Sequence, residues 1–312
     1  MNRKNSDTSL GLLLSGSTLP AKMRINRAFS IVLVGLLTMG ISGCGTVKIL
    51  AAKSLMDDVE RATLHSADPQ LVVAAMPTLL LLLETFLNEH PTNRDLLFKA
   101  TKAYTSYGTL IHYQDPQRAK KQFNRARLLG KSAFNSNPQV RKLLDAPYPE
   151  FISVSDHLNT SDGPLVFWLA SSWGSWINTN TGSLAALADL PKVIYLMEWV
   201  LEWDETYESG APHLFLGAYY AALPPMLGGN PQKSLHHFNS SQTINQGKSL
   251  LVATMKAQYL ARQTFDKTLH DSLLTSVLNT PKTVGASPLT LQNQLARNIA
   301  KQLLAESDAF FD

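Results

Sequence analysis

The chain has 312 residues, 45% hydrophobic and 17% charged, with one cysteine and a formal charge of +4. It is long enough to bury a sizeable core, and a lone thiol excludes a disulfide framework or a multi-thiolate metal centre. The positive balance sits at one end. Residues 1–43 hold Arg3, Lys4, Lys22, Arg24 and Arg27 against Asp7, and removing these from the 28 basic and 24 acidic residues leaves 23 of each. The remainder is neutral overall and carries no electrostatic footprint for nucleic acid or an anionic membrane.

The first element in chain order is a signal sequence. Arg24 and Arg27 precede a largely apolar run, Ala28 to Met39, that is too short to span the roughly 30 Å hydrocarbon core. Met23 is the more natural start for it, since residues 1–22 make an unusually long basic region. Ile41-Ser42-Gly43-Cys44 then resembles the lipobox of bacterial lipoproteins. That resemblance implies cleavage before Cys44 and acylation of its thiol and new amino terminus. Gly45, where Asp would signal inner-membrane retention, favours the periplasmic face of the outer membrane. The mature domain is then 44–312, with no free thiol.

From Thr46 onward apolar residues recur at helical spacing. Val47, Leu50, Leu55 and Val59 suggest a first helix. Asp68-Pro69 opens a second, about 69–88, with an N-cap and a proline where no N–H is needed. Its Leu79–Leu83 run predicts burial against several neighbours, and Pro77 predicts a kink. Asp115-Pro116 and Asn230-Pro231 repeat the device for helices of about 116–135 and 231–241. Others are expected over 92–113, 164–178, 183–203, 211–223, 248–263, 266–279 and 289–306. No alternating β pattern or hairpin turn is found. The fold class is all-α, and the irregular stretch 145–163 is the candidate division within one helical domain.

Two stretches carry the spacing of tetratricopeptide-like helical hairpins. Leu216-Gly217 with Tyr220 matches a first helix, and Ser234 and Phe238 take the small and aromatic places of the second. Ala119, Phe123 and Ala126 show second-helix spacing after Ala100 and Tyr104. Serines 234, 240 and 241 depart from the alanines usual there. Antiparallel hairpins with degenerate repeats, packed as a bundle or solenoid, are therefore expected.

Trp168, Trp173, Trp176, Trp199 and Trp203 are the only tryptophans, close together around the small-sided Ala170–Ser175. They read either as core and helix interface or as the wall of a cavity for an apolar or amphipathic ligand. Glu198, Glu202, Asp204, Glu205 and Glu208 read as a solvated helix end or, less simply, a docking patch. His213, His236 and His237 lack a carboxylate at ligand spacing, so no metal is expected. Gly228-Gly229-Asn230-Pro231 lacks the lysine and hydroxyl of a phosphate loop, and no nucleophile elbow occurs. No catalytic residue and no cofactor is assigned.

Several stretches resemble the TatT family, lipoproteins associated with tripartite ATP-independent periplasmic (TRAP) transporters. They are Asp68-Pro69-Gln70-Leu71 with Ala75–Leu80, the Pro91-x-Asn93 opening with Ala100 and Tyr104, and Gly210–Tyr220 running through Leu227–Pro231 into His236-His237-Phe238. The resemblance implies an all-helical, homotrimeric, non-enzymatic lipoprotein. It also implies binding to the periplasmic solute-binding (P) component of such a transporter, as a scaffold that lends a hydrophobic cavity or conduit. A generic tetratricopeptide-like lipoprotein for envelope assembly or peptide binding is the alternative.

Overall fold

The computed structural model describes residues 53–281 and 287–312, and the signal sequence, Met23 and Cys44 lie outside them. Every element there is helical. The first helix, α1, is described over 53–64. Then come α2 (Pro69–Glu89), α3 (Arg94–Ile111), α4 (Pro116–Ser132) and α5 (Pro138–Leu143). The short α6 (Tyr148–Phe151) leads through 3-10 turns at Ile152–His157 and Thr160–Asp162 into α7 (Gly163–Asn178). After α8 (Leu184–Leu187), α9 (Leu190–Asp204) and α10 (Tyr207–Ala222) come α11 (Pro231–Ile244) and α12 (Leu250–Met255). The last continues into a π-helical stretch, Lys256–Ala261, before α13 (Lys267–Asn279), α14 (Thr290–Ala305) and α15 (Ser307–Phe311).

The caps explain the starts. Asp68, Asp115 and Asn230 each accept backbone N–H bonds at 2.9–3.0 Å from the first turn of the helix they open. The same device at Asn137-Pro138 opens α5, which the sequence reading left unassigned between the expected 116–135 helix and the irregular stretch 145–163. The expected 183–203 helix is two pieces, because Pro191 restarts the chain in the first turn of α9. At the other kind of end, buried Arg297 donates to the carbonyls of Val277, Leu278 and Pro281, capping α13.

The Leu79–Leu83 expectation fails. Helix α2 runs unbroken through Pro77 but packs mainly on α3, burying only the stripe Val72, Met76, Leu80, Leu83 and Leu87. Leu71 and Leu81 remain 63% and 71% exposed, because α2 is an outer helix with no neighbour on that side among the described residues.

Helices α3 and α4 form one hairpin, α10 and α11 another, and their contacts correspond. The Phe123 ring lies over Gly108 and the Phe238 ring over Gly217; a Cβ added to those glycines would come within 2.6 and 3.1 Å of the rings. Ala119, Ala126, Leu216, Ser234 and Phe238 are fully buried, with Tyr220 beside them. Ser234 fits where alanine was expected because its hydroxyl donates to the Gly217 carbonyl at 2.7 Å. Helix α10 enters through three left-handed residues, Glu208, Ser209 and Gly210 (φ 47°, 62° and 82°). The two non-glycine positions are strained by about 1–2 kcal/mol each. Lys102 Nζ bridges Glu208 and Glu60 at 2.8 and 2.7 Å and holds this entry against α1 and α3.

One apolar core runs from Met56 to Tyr220, on both sides of 145–163, around Trp173, Phe151, Leu196 and Met197. A second, around Leu274, Ile299 and Leu303, joins α12, α13 and α14.

Candidate functional site

These cores and a third, around Ala221, Phe238, Val252 and Leu260, do not merge completely, and among them lies a cavity of about 460 Å³. This is within the usual range for a small-molecule site. Small residues make the room. Ser171, Gly174 and Ser175 face it from α7, and Ala211, Ala218 and Ala222 from α10. Phe215 reaches over Gly174, where an added Cβ would lie 2.6 Å from its ring. The far wall is Leu251, Met255 and Tyr259 of α12 and its π segment, with Leu295 and Ile299 of α14. A π turn adds one residue to a helical turn and re-aims the side chains around it, here at Tyr259 in the wall.

No Asp, Glu, Lys or Arg among the described residues lines this space. One face of α3 supplies Thr105, Thr109, and just beyond the helix His112 and Tyr113, while Ser171, Ser175, Asn178, Thr181 and Gln292 add neutral polar groups from the other walls. The threonine hydroxyls donate to the carbonyls of Thr101 and Thr105, at 2.7 and 3.0 Å. The Tyr113 hydroxyl donates to Gln258 Oε1 at 2.7 Å. Burial pushes the His112 imidazole below its ordinary pKa, keeping it neutral, and its buried Nδ1 has no hydrogen-bond partner. Burial also raises the Tyr113 phenol, assisted by Tyr259.

The tryptophans divide. Trp168 lines the cavity, with Lys102 Nζ 4.9 Å from its ring centroid. Trp173 is wholly buried in the main core, edge-on to Phe151, with Lys131 Nζ 3.9 Å from its ring. Trp176 lies under the Arg127 guanidinium at 4.0 Å. Trp199 packs against the main core, and Trp203 covers Gly163. Of the repeat positions, Phe123 is the one that also faces the cavity. Sequence reasoning passed over His112, Tyr113, Phe215 and Tyr259. The small residues of α7 were a usable signal, whereas the π segment left none.

The acidic cluster is largely engaged: Glu208 with Lys102, Glu198 with the Tyr220 hydroxyl at 3.2 Å, Glu205 with His213 Nε2 at 3.2 Å. His213 Nδ1 in turn meets His237 Nδ1 at 2.9 Å. With Nε2–H donating to Glu205, His213 Nδ1 accepts and His237 donates, a tautomer assignment that follows from the network. Burial, then His213, His236 and Lys233, push His237 down to about 4. No group of three or more His, Cys, Asp or Glu among the described residues is placed to hold a metal. A polar cleft of about 570 Å³ elsewhere is lined by groups that satisfy each other, notably the Arg94–Asp162 ion pair and the Asn137 cap.

Paired helical hairpins around an uncharged, partly open cavity define a helical protein with a binding-sized space between its helices. The family model for the TRAP transporter T-component matches residues 65–311, and the chain belongs to that family. No curated protein matches it. It is thus a TRAP transporter component of all-helical build.

Proposed function

We propose that this T-component is a non-catalytic scaffold, tethered through lipid on Cys44 to the periplasmic face of the outer membrane. It binds the solute-binding component of its transporter and lends it an apolar cavity. The observation that carries the reading is the cavity itself, about 460 Å³ and without a charged side chain among its described lining residues. A chamber lined mainly by apolar side chains and without a formal charge suits holding or passing an apolar molecule. A homotrimeric state is supported by the outward face of α2, where Leu71, Ala74, Ala75, Thr78 and Leu81 offer uncharged surface to water.

The test is co-purification with a TRAP-type solute-binding protein from the same organism, together with titration of an apolar dye followed through tryptophan fluorescence. Capture of the partner and a change at Trp168 are expected. A chain that stays monomeric, takes no partner and shows no dye response rejects the proposal.

A further inference from the structure

The cavity's chemistry selects among ligands. Three of its four polar groups on the α3 side have spent their protons: the Thr105 and Thr109 hydroxyls on their own helix, the Tyr113 hydroxyl on Gln258. They offer lone pairs only. The fourth, His112, is kept neutral by burial and so offers one donor and one acceptor. The serines of α7 can turn their hydroxyls either way, but neither wall supplies a formal charge among the described residues. A carboxylate placed against the α3 face would meet oxygen lone pairs, and elsewhere only neutral donors such as Asn178, Gln292 and Trp168 Nε1, with no cation; an ammonium would have no anion. Moving either from water without a partner is strongly unfavourable. A neutral hydroxyl can donate to the threonine or tyrosine oxygen and still exchange a bond with His112.

Resting on the reading of the cavity as a ligand site, we infer that its ligand is an uncharged amphipath. Its apolar body lies against Phe215, Leu295 and Met255, and a neutral hydrogen-bond-donating head lies on the Thr105–Thr109–His112–Tyr113 face. Fatty carboxylates are disfavoured as ions, since no cation lines the cavity among the described residues.

The test compares 1-decanol, decanoate and decylammonium as competitors of an apolar dye bound to the purified protein at neutral pH. Decanol is expected to bind at least about tenfold more tightly than either ion. Thr109→Lys, which adds a cation, should raise decanoate affinity and lower that of decanol. His112→Phe should weaken decanol several-fold more than it changes dye binding, with circular dichroism checking that each variant is folded. Decanoate binding as tightly as decanol to the unaltered protein overturns the inference and leaves the cavity reading standing. Failure of the dye and all three competitors to bind removes the cavity reading, and this inference with it.

Discussion

At the scale of single residues, polar atoms inside the hairpins do the work usually given to apolar ones. Ser234 occupies a wholly buried place and satisfies itself on the Gly217 carbonyl. Ser234→Ala keeps the packing and loses one hydrogen bond, so a cost near 1 kcal/mol is expected in urea unfolding. Ser234→Val also pushes methyls at a helix in close contact, and should cost about 1–3 kcal/mol. His237 gives a pH signature. Its folded-state pKa, about 4, lies below the ordinary 6.5, so the unfolded chain takes up the proton first. The stability it leaves intact above pH 6.5 is lost as pH falls towards 4, and no further below. With allowance for its partial exposure the loss is about 1–2 kcal/mol. His237→Gln should flatten the urea midpoint between pH 7 and 4.5 relative to the unaltered protein. An unchanged slope would show that another group governs it.

Among the elements, the two glycine–aromatic hairpins and the outer helix α2 make contrasting demands. Gly108 and Gly217 are both covered by a phenylalanine ring, but the room differs, 2.6 against 3.1 Å to an added Cβ. Gly108→Ala should therefore destabilise by about 2 kcal/mol or more, as overpacking does. Gly217→Ala should cost clearly less, since Phe238 needs to yield only slightly; thermal melts of the two variants decide it. In α2 an apolar face lies exposed among the described residues. Leu81→Glu costs little in the monomer because the side chain is 71% exposed. If this face joins copies, light scattering should show the assembly falling towards a single chain, and an unchanged mass would place the interface elsewhere.

At the scale of the whole molecule, the chamber exists because three apolar cores approach without fusing. Ala218→Phe would fill it from α10. Dye and decanol binding should be lost while capture of the solute-binding partner persists, at a stability change within about 1–3 kcal/mol. Loss of partner capture together with ligand binding would mean that the partner reads the state of the cavity. The Lys102 bridge is the corresponding control on the entry to α10. Lys102→Met leaves Glu60 and Glu208 without their shared cation and frees the strained 208–210 turn. Trp168, whose ring lies beside Lys102, should report the release as a shift in emission.

The helical class, most helix starts, the family and the two hairpins were legible in the chain, because caps, prolines and three-and-four spacing are local and survive without tertiary context. Asn137-Pro138 carried the same local signal and went unread. What no local pattern carried was the direction each apolar face would turn. The leucine run of α2 looks buried from any window of sequence, and only the absence of a neighbour leaves half of it in water. Trp168 and Trp173 look alike in sequence, yet one lines a chamber and the other fills a core. Their difference comes from where α3, α10, α12 and α14 pass, which depends on contacts made across the fold rather than along the chain.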